Sequence, residues 1–484
     1  MATPIPFIID LHCHPSTKPF GKSFKRSPIG INPRDHSEEN SIWYNDSPNA
    51  VERLLQTWAQ IVKFRQADLS SLAWGNCRVV VASLYPIERG FFKNKFGVGV
   101  ISDLVGSFVS GVSKRRVNHV QNLRFYFDDL MLEYNYYEQL HDTYVNINTT
   151  LYKYKLVHSF QEVLDHQKQN EDDAQTIFII MSIEGLHCLI ADIDQPADEQ
   201  IILENLRKVK RWEYAPFFVT IAHHFDNQIC GHAKSLYGQV AKHTDQRAGL
   251  NKNINPIGLK IIDELLDPTI GRRIYVDVKH MSIKSRLQYY NLLETKYKKQ
   301  DIPVIVSHGA LMGRTLDGKI NKITPDLGKT FFAKDINFFD EEIITIAKSG
   351  GLFGFQLDER RLASKEKMKS LKHPIFLHKI RHVRAELLWN QIQYIAELLN
   401  HNRLPAWNIM AIGSDFDGII SPINGFLTAE DLNTLMEYIE RYAYNYMNGR
   451  GKTILSRRNQ IKAAEIVQRI FSTNATAFLT KWYI

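Results

Sequence analysis

The sequence predicts an α/β fold: a (β/α)8 TIM-like barrel of the metal-dependent hydrolase type, with large insertions in its βα loops. Three observations carry this prediction. Eight short apolar, β-branched runs recur along the 484 residues, helix-like stretches separate them, and metal-ligating or acid/base side chains follow six of the eight. Nearly continuous hydrophobic strands indicate burial on both faces, as in a parallel sheet. Eight such strands alternating with amphipathic helices suggest closure into a barrel.

The predicted strands are residues 7–9, 78–84, 177–183, 217–221, 274–278, 304–306, 352–355 and 409–412. Between them, Val51, Leu54, Leu55, Trp58 and Val62 have the i, i+3, i+4 spacing of a buried helix face. Leu388, Trp389, Ile392, Ile395 and Leu398 have it too. The chain is expected to be one barrel domain spanning 1–484, with insertions at about 16–48, 88–172 and 358–382, longer than a barrel unit needs. Within the second insertion, the Gly-punctuated stretch Gly97 to Gly111 reads as a packed lid or insertion, and Tyr126 to Tyr144 is rich in aromatics.

Composition excludes several classes. Hydrophobic content of 44% and charged content of 23% are those of an ordinary globular protein. The formal charge is +8, but no phosphate loop or nucleic-acid motif accompanies the basic runs at Lys114 to Arg116 and Arg360 to Arg384. They read as solvated surface, and no nucleic-acid partner is expected. Four dispersed cysteines do not make a disulfide framework. Met1 to Pro6 lead into the first strand without a basic and then apolar leader, and no stretch of about 18 apolar residues is present. The expectation is a cytoplasmic enzyme with no membrane span.

In such a barrel the active site lies at the C-terminal ends of the strands. Strand one ends in Asp10-Leu11-His12-Cys13-His14. Alternation along a strand makes His12 and His14 project the same way, so both can ligate one ion. Strand three ends in Ile183-Glu184-Gly185, strand four in His223-His224, strand five in Asp277-Val278-Lys279-His280, strand six in Ser307-His308, and strand eight in Gly413-Ser414-Asp415-Phe416-Asp417-Gly418. Any one histidine among 18 could be structural, but coincidence at six strand ends explains the pattern poorly. The chemistry that fits is a two-metal hydrolytic site. Glu184 could bridge two ions about 3.5–4 Å apart and a bridging water would ionise near neutral pH. His12 and His14 would complete one ion's sphere, and His280 and His308 the other's. Asp415 is suited to take that proton and pass it to the leaving amine. His223 could polarise the substrate carbonyl, with His224 as the competing candidate.

This ordered set, from Asp10-Leu-His12-x-His14 to Gly413-Ser-Asp415-Phe-Asp417-Gly418, resembles the membrane dipeptidase (renal dipeptidase) family of the amidohydrolase superfamily. The resemblance implies two Zn²⁺ ions and hydrolysis of dipeptides, including those with a C-terminal D-residue. It implies His12, His14, Glu184, His280 and His308 as metal ligands, Asp415 as the catalytic acid/base, and His223 as the substrate-binding histidine. It further implies a basic residue for the substrate carboxylate after strand six: Arg314 is the nearest arginine, and Lys319 lies closer to the family spacing. Homodimers are common in the family. The chain departs from it at strand one, where His14 stands in place of the usual aspartate. Two other readings remain open at this level: a metal-dependent phosphoesterase or other amidohydrolase, and a non-catalytic relative that keeps the site.

Overall fold

Each of the eight apolar runs forms a strand, and the strands close on themselves. The structure is a computed structural model that describes residues 7–49, 52–53, 62–92, 111–169, 174–190, 192, 194–237, 241, 244–372 and 374–484. Ten strands occur among them: β1 (Ile8–Cys13), β2 (Cys77–Leu84), β3 (Val145–Ile147), β4 (Thr150–Leu156), β5 (Gln175–Glu184), β6 (Phe218–Thr220), β7 (Tyr275–Asp277), β8 (Ile305–Gly309), β9 (Leu352–Phe355) and β10 (Met410–Ile412). The sheet runs β2-β1-β10-β9-β8-β7-β6-β5, all parallel, and β2 pairs with β5 to shut the ring. The result is an eight-stranded parallel barrel. Its strands are buried on both faces because barrel interior and helical layer each cover one, which is why the runs lack alternation.

β3 and β4 lie outside the eight predicted strands. They form an antiparallel hairpin whose turn places Asn148 and Thr149 at positive φ, 48° and 70°. β5 explains the hairpin's position. One edge of β5 pairs with β2 from Phe178 to Ile183, while the other is shared by β4 over Gln175–Ile179 and β6 over Ser182–Glu184. The hairpin covers the part of the edge that the three-residue β6 does not reach.

The rest of the long insertion is held to the barrel by buried polar contacts. Arg116, on the helix Lys114–Gln121, pairs through both terminal nitrogens with Asp129 on the helix Tyr126–Glu138, and both are fully buried. Glu133 on that second helix accepts from Ser16 Oγ at 2.5 Å and Tyr85 N at 2.8 Å, tying together the loops that follow β1 and β2. The predicted helix through Val51 to Val62 and the stretch from Gly97 fall largely outside the described residues. The long helix Leu377–His401 starts earlier than expected, so residues 377–382 are helical. At the chain's end, Asn474 Nδ2 donates to the carbonyls of Trp407 at 2.7 Å and Met410 at 2.8 Å, anchoring the entry to β10. All four cysteines are free and buried, and no helix among the described residues is long and apolar enough to cross a membrane.

Candidate metal centre and active site

The barrel gathers eight of the side chains singled out in the sequence: His12, His14, Glu184, His223, His224, His280, His308 and Asp415. Seven are buried and His224 is half-buried. At its heart the two oxygens of Glu184 face different imidazoles. Oε2 lies 3.1 Å from His14 Nε2 and 3.5 Å from His223 Nε2. Oε1 lies 3.2 Å from His280 Nε2, 3.5 Å from His308 Nε2 and 3.6 Å from His12 Nε2. Asp415 Oδ1 stands 3.6 Å from His14 Nε2 and 3.9 Å from His12 Nε2.

The backbone is bent sharply to place these groups. His280 and Asp415 hold φ of 64° and 61°, the sparsely populated left-handed region, which the surrounding structure must enforce. Gly185 has φ of 91°, and a Cβ there would sit 2.4 Å from His187 Nδ1. Two buried aspartates brace the strand ends. Asp10 accepts from the backbone of His12 at 3.1 Å and Ser414 at 2.9 Å, and from the Ser414 hydroxyl. Asp277 accepts from Thr220 Oγ1 at 2.8 Å, Ser307 Oγ at 2.6 Å and Lys279 N at 3.0 Å. The second aspartate of the strand-eight motif is structural: Asp417 accepts from the backbone of Gln66 and Ala67, each at 3.0 Å, and pairs with Lys18 at 2.9 Å.

These contacts also set the tautomers. Because the Ser307 hydroxyl donates to Asp277, its oxygen is left to accept from His308 Nδ1 at 2.9 Å and, more distantly, from His12 Nδ1 at 3.4 Å. With a cation held at each Nε2, these Nδ1 atoms would carry the rings' protons. Burial and the neighbouring cationic groups push His280 and His308 well below the usual histidine range, keeping them neutral. Burial opposes the charge on Glu184, but His223 and His12 outweigh it and hold the carboxyl well below its usual value. His14 goes the other way: against the cost of burial, Asp415 and Glu184 raise it to about 10. The cage therefore favours positive charge.

The donor set fits divalent ions. Two nitrogens on one tetrahedral zinc at the usual bond length stand about 3.3 Å apart. His12 Nε2 and His14 Nε2 are separated by 3.1 Å, and His280 Nε2 and His308 Nε2 by 3.3 Å. Glu184 Oε1 is buried without a hydrogen-bond partner, as an oxygen awaiting a cation would be. The ligand atoms of His12, His14 and Asp415 fall within 4.8 Å of one another, as do those of His12, Glu184 and His308, and those of His223, His224 and His280.

Around this centre lie groups that the sequence analysis did not single out. Glu88, beyond β2, accepts from His223 Nδ1 at 2.7 Å. Its carboxyl is lowered to about 2 because His223 outweighs the cost of burial. Gln356, beyond β9, donates from Nε2 to Asp415 Oδ2 at 2.6 Å and receives the Lys279 ammonium at 3.4 Å. His224 Nδ1 is 2.7 Å from Ser235 Oγ, and the carbonyl of Ser235 accepts from the half-buried guanidinium of Arg361. Arg314 and Lys319 are not brought to the cluster. The loop after β8 folds back on itself, so that the Arg314 guanidinium donates to Gly318 O at 3.3 Å. Lys319 is 80% exposed and pairs with Asp317 at 2.5 Å.

No protein-family model and no curated protein matches the chain. Solved structures do. A metallopeptidase from Rhodobacter sphaeroides, bound to a phosphinate mimic of the dipeptide L-Ala-D-Ala, aligns with a TM-score of 0.51 at 12% identity, over 98% of this chain and 99% of that one. The dipeptidase AC, a metallopeptidase, aligns at a TM-score of 0.49 and 12% identity over 89% and 95% of the two chains. The probable dipeptidase PvdM from Pseudomonas aeruginosa aligns at 0.47 and 13% over 87% and 89%. The first of these likenesses shows a shared fold over nearly the full length of both chains.

Proposed function

We propose that this chain is a zinc-dependent hydrolase that cleaves the amide bond of dipeptides, including those with a C-terminal D-residue. The observation that carries the reading is Glu184, whose Oε2 lies against His14, itself beside His12, and whose Oε1 lies against His280 and His308. His12, His14 and Glu184 would hold one ion, and Glu184, His280 and His308 the other. Two ions bound there would supply Lewis acidity and acidify a shared water.

The chain's own groups do the rest. Asp415 has one oxygen fixed by Gln356 and the other turned to His14, so it can take a proton at Oδ1 and deliver it to the departing amine. His223 has Nδ1–H committed to Glu88, and Glu184 and Glu88 raise its pKa against the cost of burial, so it can donate from Nε2–H to the substrate carbonyl oxygen. The substrate's terminal carboxylate meets Arg361 rather than Arg314 or Lys319. The Arg361 guanidinium packs over the rings of Tyr237 at 5.2 Å and Phe332 at 5.8 Å, and among the described residues it forms no ion pair within 4.0 Å, though Asp358 and Asp415 act on it from further off. The dipeptide mimic held by the Rhodobacter sphaeroides metallopeptidase agrees with this substrate class.

The test is turnover by the zinc-loaded protein of a panel of L,L and L,D dipeptides beside a chromogenic phosphodiester. The expected result is chelator-sensitive dipeptide cleavage. Faster turnover of the phosphodiester than of any dipeptide would replace this reading with a phosphoesterase, and a protein that cleaves neither and binds no ion is a non-catalytic relative.

A further inference from the structure

We infer that Glu88 is a positioning residue for His223, fixing the orientation of its ring through the Nδ1–H that it accepts. The inference rests on the reading above, in which His223 meets the substrate. Glu88 lies four residues beyond β2, and it is 4% exposed. Both of its oxygens are engaged. Oε2 accepts from His223 Nδ1 at 2.7 Å and from the Tyr85 hydroxyl at 3.1 Å, while Oε1 accepts from Phe225 N at 3.1 Å. One carboxylate thus holds the imidazole and the backbone two residues further on.

Packing alone does not choose between the two flips of the ring. His223 is boxed by Tyr85 at 4.8 Å, His224 at 3.8 Å and His280 at 4.5 Å between ring centroids, and these contacts fit an imidazole turned either way. An ionised carboxylate only accepts, so it admits only the flip that turns an Nδ1–H toward it. That leaves Nε2 aimed into the cage, 3.5 Å from Glu184 Oε2. The loop carrying Glu88 is closed on its partner: a Cβ at Gly90 would come within 2.8 Å of the Phe225 ring. Glu88 therefore links the start of the long insertion to the loop after β6.

The experiment pairs kinetics with a readout independent of turnover, using the zinc-loaded full chain. On a dipeptide that the parent protein cleaves, Glu88→Ala is expected to lower kcat about 10- to 100-fold with KM and zinc content little changed, a loss of the size that removing the outer partner of a metal-ligating histidine produces. Glu88→Gln, which keeps an accepting oxygen, should recover part of the loss. In a His223→Ala background, Glu88→Ala should cost nothing further. An equal loss in that background, or none in the parent, overturns the inference. Nitrogen-15 NMR of the histidine rings decides the matter even if no dipeptide is cleaved, a result that would sink the dipeptidase reading instead. A His223 proton on Nδ1 that Glu88→Ala removes or redistributes supports the positioning role, and an Nδ1 without a proton in the parent protein overturns it.

Discussion

Nε2 of His14 lies 3.1 Å from Oε2 of Glu184, with both side chains almost wholly removed from solvent. A carboxylate and an imidazole so placed, with a second imidazole nitrogen also at 3.1 Å, make a pocket for a cation. The contact also singles out the position where the chain departs from the family it resembles. His14→Asp should retain two bound ions and dipeptide cleavage, because the lost donor is replaced by another and negative charge is added beside the ion. Elemental analysis and a dipeptide assay check it. Loss of one ion would mean that the imidazole's reach is indispensable.

Ser307 orients its neighbours and is not among the residues proposed to hold an ion. Its hydroxyl donates to Asp277 and accepts from His308 Nδ1. Ser307→Ala should weaken zinc binding about 10- to 100-fold, as removal of outer partners of ligating histidines does. Competition with a coloured chelator measures the change, and an unaltered affinity would remove Ser307 from the account.

Arg361 makes a separate prediction. A charge-assisted contact to a substrate carboxylate contributes about 1.5–3 kcal/mol, so Arg361→Met should lower kcat/KM for free dipeptides about 10- to 100-fold. Dipeptide amides, which lack that charge, should be cleaved by the variant as by the parent. Lys319→Ala should leave both substrates unaffected, since Lys319 is spent on Asp317 in solvent. Equal loss on acids and amides would deny Arg361 this role.

Why some of these residues were legible in the sequence and others were not follows from locality. His12, His14, Glu184, His280, His308 and Asp415 sit within a few residues of strands whose apolar runs stand out, and barrel geometry aims strand ends at one place. Glu88 reaches His223 across 135 positions, and it follows a strand whose last residues carry no ligand type, so no local pattern announces it. Arg361 lies in a run that reads as solvated charge, because nothing in the sequence shows that Tyr237 and Phe332 fold over it. Arg314 was the nearest arginine and Lys319 lay closer to the family spacing, but a short turn closed by Asp317 keeps them together at the loop rather than in the cage. The β3–β4 hairpin alternates polar and apolar residues, from Val145 to Asn148 and from Tyr152 to Leu156, but it lies inside a long insertion, outside the continuous apolar runs that mark the barrel strands, which hid it.

The buried pair in the insertion gives a stability prediction with a definite sign. Against the cost of burial, Arg116 lowers the Asp129 carboxyl from 3.8 to about 2. A depressed carboxyl stabilises the fold above its unfolded value, and that stability is lost as pH falls through about 2. Asp129→Asn should therefore cost about 3 kcal/mol at neutral pH by stranding the buried guanidinium. The gap between variant and parent should narrow as pH drops below 4. Urea unfolding across pH measures it, and a gap constant with pH would contradict the assignment.

The central claim is that Glu184 bridges two ions. Its most direct measurement is the number of zinc ions bound per chain, in the parent protein and in Glu184→Gln. The account predicts two in the parent and fewer than two in the variant, with both proteins folded by circular dichroism. One ion in the parent, or two in both proteins, would contradict it.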